Sequence, residues 1–83
     1  MSDITVTMRL FGAFREFGES VELAVKSGSS VAAIKQALGN ALGERAQTLI
    51  RDSVLADDHT ILPVEFIVET DAKLAILPPV CGG

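Results

Sequence analysis

The residues best equipped for chemistry close the sequence: Pro78-Pro79-Val80-Cys81-Gly82-Gly83. Read as the chain terminus, Gly83 carries an α-carboxylate with no side chain beside it, and Gly82 lets the backbone enter a channel too narrow for other residues. A carboxylate is a poor acyl donor, because its oxygens carry negative charge and neither is a leaving group. Adenylation by ATP supplies one. A sulfur donor that displaces AMP then leaves a thiocarboxylate, whose sulfur is a better nucleophile than the oxygen it replaces. Cys81, the single cysteine, offers a second chemistry, a persulfide or a mixed disulfide. No base or cation stands beside it to activate the thiol, so a small spacer that happens to be cysteine is the simpler reading.

The remaining side chains offer little that competes with the tail. No phosphate loop of the G-x-x-x-x-G-K-[ST] type is present, and Gly12, Gly18 and Gly28 are too scattered for a dinucleotide fingerprint, so no nucleotide or other bound cofactor is expected. His59 has no cysteine or second histidine near it, and Asp57 and Asp58 read as turn formers, so no metal is expected either. Arg15-Glu16 reads as an exposed pair beside two buried phenylalanines, Phe14 and Phe17. One cysteine excludes a disulfide framework and the four-cysteine cluster of a ferredoxin. Seven Lys and Arg against eleven Asp and Glu give a net charge of −4. With no basic run anywhere, nucleic acid is not an expected partner. Residues 1–10 lack a basic leader, and no apolar run approaches about 20 residues, so neither a signal peptide nor a membrane span is expected. A reduced, cytoplasmic setting fits this cysteine usage.

The tail needs an anchor. The apolar run Leu74 to Leu77 predicts a buried strand, and the paired prolines cannot continue a sheet ladder. The chain therefore divides into a domain over 1–77 and a flexible tail over 78–83, which could reach about 20 Å when extended. Ile4 to Phe11 alternate, with Ile4, Val6, Met8 and Leu10 on one face. Phe11 falls on the polar face, where the core does not need it. In the last strand Leu74 and Ile76 share one face, while Lys73, Ala75 and Leu77 share the other. If first and last strands lie side by side, Phe11 and Leu77 make one exposed apolar patch at the root of the tail.

Between these strands the pattern predicts a short helical turn over Gly12 to Phe17, with Gly18 ending it in a left-handed conformation. Val21, Leu23 and Val25 mark a second strand, antiparallel to the first. Ser27 to Ser30 form a turn, Ser30 caps a helix, and Val31, Ile34, Leu38 and Leu42 give that helix its apolar stripe. Gly39 weakens its last turn and Gly43 stops it. Glu44 to Arg51 form a second helix that buries Ala46, Leu49 and Ile50. Ser53 to Ala56 are a short strand, Asp57 to Thr60 a turn, and Ile61 to Val68 an edge segment interrupted by Pro63. With 83 residues, 48% of them apolar, and neither Trp nor Tyr, the chain is one domain with a core of aliphatic residues and phenylalanine.

Nearly the whole chain resembles the small sulfur-carrier subunits of molybdopterin synthase, members of the ubiquitin-like β-grasp family. The resemblance runs from the first strand through Phe11-Gly12-Ala13-Phe14-Arg15-Glu16-Phe17-Gly18 and the Ser30-Val31 helix start to Leu77-Pro78-Pro79-Val80-Cys81-Gly82-Gly83, the most specific part. It implies an α+β fold, a mixed sheet around one main helix, with first and last strands adjacent and parallel. It also implies that an adenylyltransferase of the ubiquitin-activating type uses ATP to activate Gly83. The thiocarboxylated tail, with Cys81 and Gly82 inserted, then enters the large synthase subunit, which holds the catalytic residues, and delivers sulfur to a pterin precursor. Phe11, Ile61 and Leu77 match the positions that form the family's apolar docking surface. Cys81 departs from the small Thr, Ser or Ala usual there. Other readings are a carrier for thiamine, cysteine or tRNA thiolation, a ubiquitin-like protein modifier, and an interaction module with an inert tail.

Overall fold

A computed structural model of the chain describes residues 3–78. The alternating first segment forms β1 (Asp3–Leu10), and Ile4, Val6, Met8 and Leu10 are buried as their parity requires. β2 (Ser20–Lys26) returns antiparallel beside it, with Val6 opposite Leu23 and Met8 opposite Val21. Between them a 3₁₀ helix (Gly12–Phe17) carries Phe14 into the core, where it is fully buried. Gly18 ends that helix with φ +126° and ψ −176°, so the turn is extended on the positive side rather than left-handed helical. This region is essentially glycine's alone.

The apolar helical stripe becomes α1 (Val31–Leu42), whose Ser30 side chain accepts the Ala33 N–H at 3.1 Å. Val31, Ile34 and Leu38 pack beneath the sheet. α2 (Glu44–Arg51) follows after Gly43 and buries Ala46 and Ile50, while Leu49 is half-buried at the margin of the core. Gly39 has a role that helix propensity alone hides. It is buried, and a Cβ there would lie 3.1 Å from Cγ of Gln47 on α2, so a larger residue requires the Gln47 side chain to shift. At the next corner the buried Ser53 hydroxyl donates to the Leu49 carbonyl at 2.6 Å, and the Ser53 carbonyl accepts the Lys35 ammonium at 2.8 Å. Partial desolvation draws the Lys35 pKa below its ordinary value, against the opposing pull of Asp52.

β4 (Val54–Ala56) and β7 (Ala72–Leu77) complete the centre of the main sheet, and β5 (Ile61–Leu62) forms its edge, in the order β2-β1-β7-β4-β5. β7 runs parallel to β1, with Met8 opposite Leu74 and Leu10 opposite Ile76; the other pairings are antiparallel. The expected edge segment from Ile61 to Val68 is in fact divided between two sheets. Pro63 has no N–H to give a ladder, the Phe66 N–H donates to the Pro63 carbonyl at 3.0 Å, and the chain turns away. It then forms β6 (Ile67–Val68), which pairs with a two-residue β3 (Ser29–Ser30) inside what the sequence presents as a turn. The result is a ubiquitin-like β-grasp, a mixed sheet packed on a helix. Among the described residues no helix is long and apolar enough to cross a membrane.

Candidate functional site

The outer face of the sheet follows from the same parity that builds the core. Residues that alternate with buried Met8, Leu10, Leu74, Ile76, Leu55 and Leu62 must point away from the helix. Across the strands, Arg9 stands opposite Ala75, Ala75 opposite Ala56, and Ala56 opposite Ile61. The two alanines leave a shallow hollow of about 270 Å³ between larger neighbours, lined in part by Arg9, Phe11, Lys73 and Asp57. In the next row Val54 faces Leu77.

The three residues that the resemblance singles out for docking thus share one face. Ile61 is 57% exposed, whereas Phe11 and Leu77 are half-buried. β1 ends at Leu10, so Phe11 is not the strand's last residue but the extended cap of the 3₁₀ helix, its carbonyl accepting the Phe14 N–H at 3.1 Å. The Arg9 guanidinium lies 5.4 Å from the centre of its ring, within cation–π range. Val54, 40% exposed, belongs to the same surface. Its parity with Leu77 across the β4–β7 ladder is the signal that finds it, and that signal exists only once the strands are paired.

Pro78 leaves the sheet against the loop after β1. Gly12 has φ +59°, and a Cβ there would lie 2.6 Å from the Pro78 ring. Only glycine allows both the backbone conformation and the contact. Gly12→Ala is expected to cost about 1–2 kcal/mol for the left-handed backbone alone, with further loss or a displaced Pro78 from the overlap. Urea unfolding, with carbon chemical shifts of Pro78, checks this; an unchanged midpoint and unchanged Pro78 shifts would refute it. Cys81, Gly82 and Gly83, the proposed tail chemistry, lie outside the described residues.

Three cations, Arg9, Arg15 and Lys73, border the surface near Phe11. Arg15 does not pair with its neighbour Glu16, which instead meets Arg45 at 3.1 Å on an exposed surface. Phe17 is half-buried beside fully buried Phe14. On the opposite margin, Asp57 closes the β4–β5 turn: its Oδ1 accepts the His59 and Thr60 N–H groups, each at 2.8 Å. Those donors, His59 first, hold its carboxyl below the usual carboxylate range. Because the folded pKa is depressed, the stabilisation is present above the unfolded value of about 3.9 and is lost as pH falls through the lower folded value. Asp57→Ala should therefore lower the urea midpoint at neutral pH, by an amount that shrinks as pH falls below the usual carboxylate range. A difference that persists in acid would show that the turn is weakened for another reason. Among the described residues no group of three His, Cys, Asp or Glu side chains could hold a metal ion.

Comparison with known proteins supplies the context for this geometry. No curated protein matches the chain by sequence. SAMP1 from Haloferax volcanii shares its fold at a TM-score of 0.74, with 19% identity over 95% of this chain and 99% of that one. A ubiquitin from Caldiarchaeum subterraneum matches with a TM-score of 0.68 and 16% identity, over 99% of this chain and 100% of its own. The UBL domain of Plasmodium falciparum Dsk2 matches at 0.68 and 11% identity, over 94% of this chain and 100% of that one. At these identities the likeness is one of fold. The sequence model of the ThiS family, in contrast, matches residues 8–83, from the middle of β1 through the final glycine. That span takes in the end of β1, the whole of β7 and the tail residues, and so the chain belongs to the ThiS family and is a ubiquitin-like sulfur carrier.

Proposed function

We propose that this carrier serves molybdopterin synthesis, as the small subunit whose thiocarboxylated Gly83 gives sulfur to a pterin precursor. The observation that carries the proposal is the Leu77-Pro78-Pro79-Val80-Cys81-Gly82-Gly83 ending, which lies within the family match and whose first residue, Leu77, ends β7 on an apolar outer face. An adenylyltransferase of the ubiquitin-activating type provides the nucleotide site. The Gly83 carboxylate attacks the α-phosphorus of ATP and pyrophosphate leaves; a sulfur donor then attacks the acyl carbon and AMP leaves. The large synthase subunit receives the tail and supplies the catalytic residues. This chain contributes the acyl group, a narrow glycine segment, and a docking surface of Phe11, Ile61, Leu77 and Val54. ATP is spent by the partner, and the work belongs in the cytoplasm, where the Cys81 thiol stays reduced.

The test is intact-protein mass spectrometry after incubation with ATP, a sulfur source and the cognate adenylyltransferase, followed by the large subunit and a pterin precursor. One oxygen exchanged for sulfur at Gly83, then lost as the pterin gains sulfur, is expected. Sulfur added at Cys81 instead would place the chemistry on the thiol, and an isopeptide link to a lysine would make the chain a protein modifier. Docking is tested separately. Ile61→Asp is expected to weaken binding of the adenylyltransferase by about tenfold or more, with an unchanged melting temperature because the side chain is 57% exposed. Undiminished binding would remove Ile61 from the interface.

A further inference from the structure

Five large apolar side chains are exposed among the described residues, and the sheet's outer face accounts for two of them, Val54 and Ile61. The other three, Val64, Phe66 and Ile67, are 54%, 43% and 46% exposed and stand on the segment that crosses from β5 to β6. That segment is held by its backbone. The Val64 carbonyl accepts the Ala32 N–H at 3.0 Å, the Phe66 carbonyl accepts the Val31 N–H at 2.8 Å, and the Val68 carbonyl accepts the Gly28 N–H at 2.9 Å. Two of these bonds satisfy the first donors of α1, which otherwise have no partner within the helix. Capping by main-chain carbonyls needs no apolar side chain, so the fold leaves Val64, Phe66 and Ile67 unexplained.

Beside them runs a groove of about 380 Å³, lined by Leu62, Phe66, Ile67, Glu69, Lys73 and Leu74 among others. One wall is the first half of β7. β4 pairs only with Ala75–Leu77, so Ala72–Leu74 border the groove on the side where the sheet would otherwise continue. The groove therefore has the shape left by a missing strand. Its charge is lopsided: Asp57 and Glu69 line it, Glu65 lies between the exposed apolar residues, and Lys73 is the only cation in its lining. A second copy of this chain, at net charge −4, would bring like charge to this rim.

We propose that this groove is a second docking surface, and that it takes an extended segment of a protein partner in which apolar residues alternate with lysine or arginine. Apolar side chains on one face of that segment cover Phe66 and Ile67, and basic side chains meet Glu65, Glu69 and Asp57. Strand addition of this kind takes affinity from backbone pairing and specificity from alternate side chains. The proposal does not depend on the sulfur acceptor. The groove shares Asp57 and Lys73 with the hollow beside Phe11, but Phe11 and Leu77 themselves are not in its lining.

The test is titration of the ¹⁵N-labelled full chain with a capped octapeptide alternating lysine and valine, followed through its amide resonances. Shifts confined to Gly28, Asp57, Leu62, residues 64–70 and residues 72–74 are expected, weakening as salt is raised. Phe66→Ser should reduce affinity about tenfold with the melting temperature unchanged. Glu65→Lys combined with Glu69→Lys, which keeps the apolar surface, should reduce it as well. Absence of shifts at those residues overturns the proposal, as do shifts that map only to Arg9, Val54 and Ile61. Equal binding of a peptide with glutamate in place of lysine removes the charge argument. Concentration-dependent shifts at 64–70 without peptide would show that a second copy occupies the groove instead.

Discussion

Deletion of Gly83 is expected to abolish adenylation and thiocarboxylation while leaving the domain's melting temperature unchanged. The α-carboxylate then belongs to Gly82, and one residue of extended chain is about 3.3–3.6 Å. In-line attack on a phosphorus atom tolerates far less, since a misplacement of about 1 Å already costs about 100-fold in rate. A loss of about 1,000-fold or more follows, observed as absence of the oxygen-to-sulfur exchange in the intact mass. Stability should not follow activity, because among the described residues the last core side chain is Ile76 and the last strand ends at Leu77. Partner binding through the outer face should also survive in large part. A truncated chain that is still thiocarboxylated at the normal rate would show that position, and with it the terminal residue, is irrelevant to transfer.

The second large effect is on stability. Phe14→Ala should destabilise the fold by about 3–5 kcal/mol, by removing a buried aromatic ring and leaving a cavity that closes only in part. At about 0.05–0.15 kcal/mol per residue, a domain of this size has about 4–12 kcal/mol in total, so the variant stands near the edge of folding. Phe14 is the largest side chain that is fully buried, and it comes from a 3₁₀ helix fixed at both ends by positive-φ glycines, Gly12 and Gly18. Phe17→Ala, at a half-buried position on the same helix, should cost clearly less. Urea unfolding of the pair decides the matter. Equal costs would show that the helix docks through both rings alike.

Period and parity made much of this legible in the sequence. β1, β2 and β7 each bury one side of an alternating run, and α1 shows both its Ser30 cap and its apolar stripe. The odd parities of Phe11 and Leu77 located part of the outer face before any pairing was known. Short ladders behave differently. β3, β5 and β6 have two residues each, too few to display a period, and Ser29 pairs with Val68 through contacts that no local pattern encodes. For that reason the sequence presents Ile61 to Val68 as a single edge, and Ile61 enters only through the family resemblance; Val54, on β4, is found only through its pairing with Leu77. Gly39 shows the limit in the opposite direction: helix propensity reports its entropic cost, whereas its tight packing on the Gln47 side chain belongs to tertiary structure.

The position of β7, parallel to β1 and hydrogen-bonded on its other side to β4, also has a mechanical meaning. A partner that grips the tail pulls at the Pro78 end, along the axis of a strand held on both flanks. Such a pull loads the two ladders in shear, so many hydrogen bonds must yield together rather than peel one after another. Resistance to force is then set by the unfolding rate under load and not by equilibrium stability. A pull at this end therefore meets the β1–β7 and β4–β7 ladders together, and an unfoldase that engages it must shear both before the core opens.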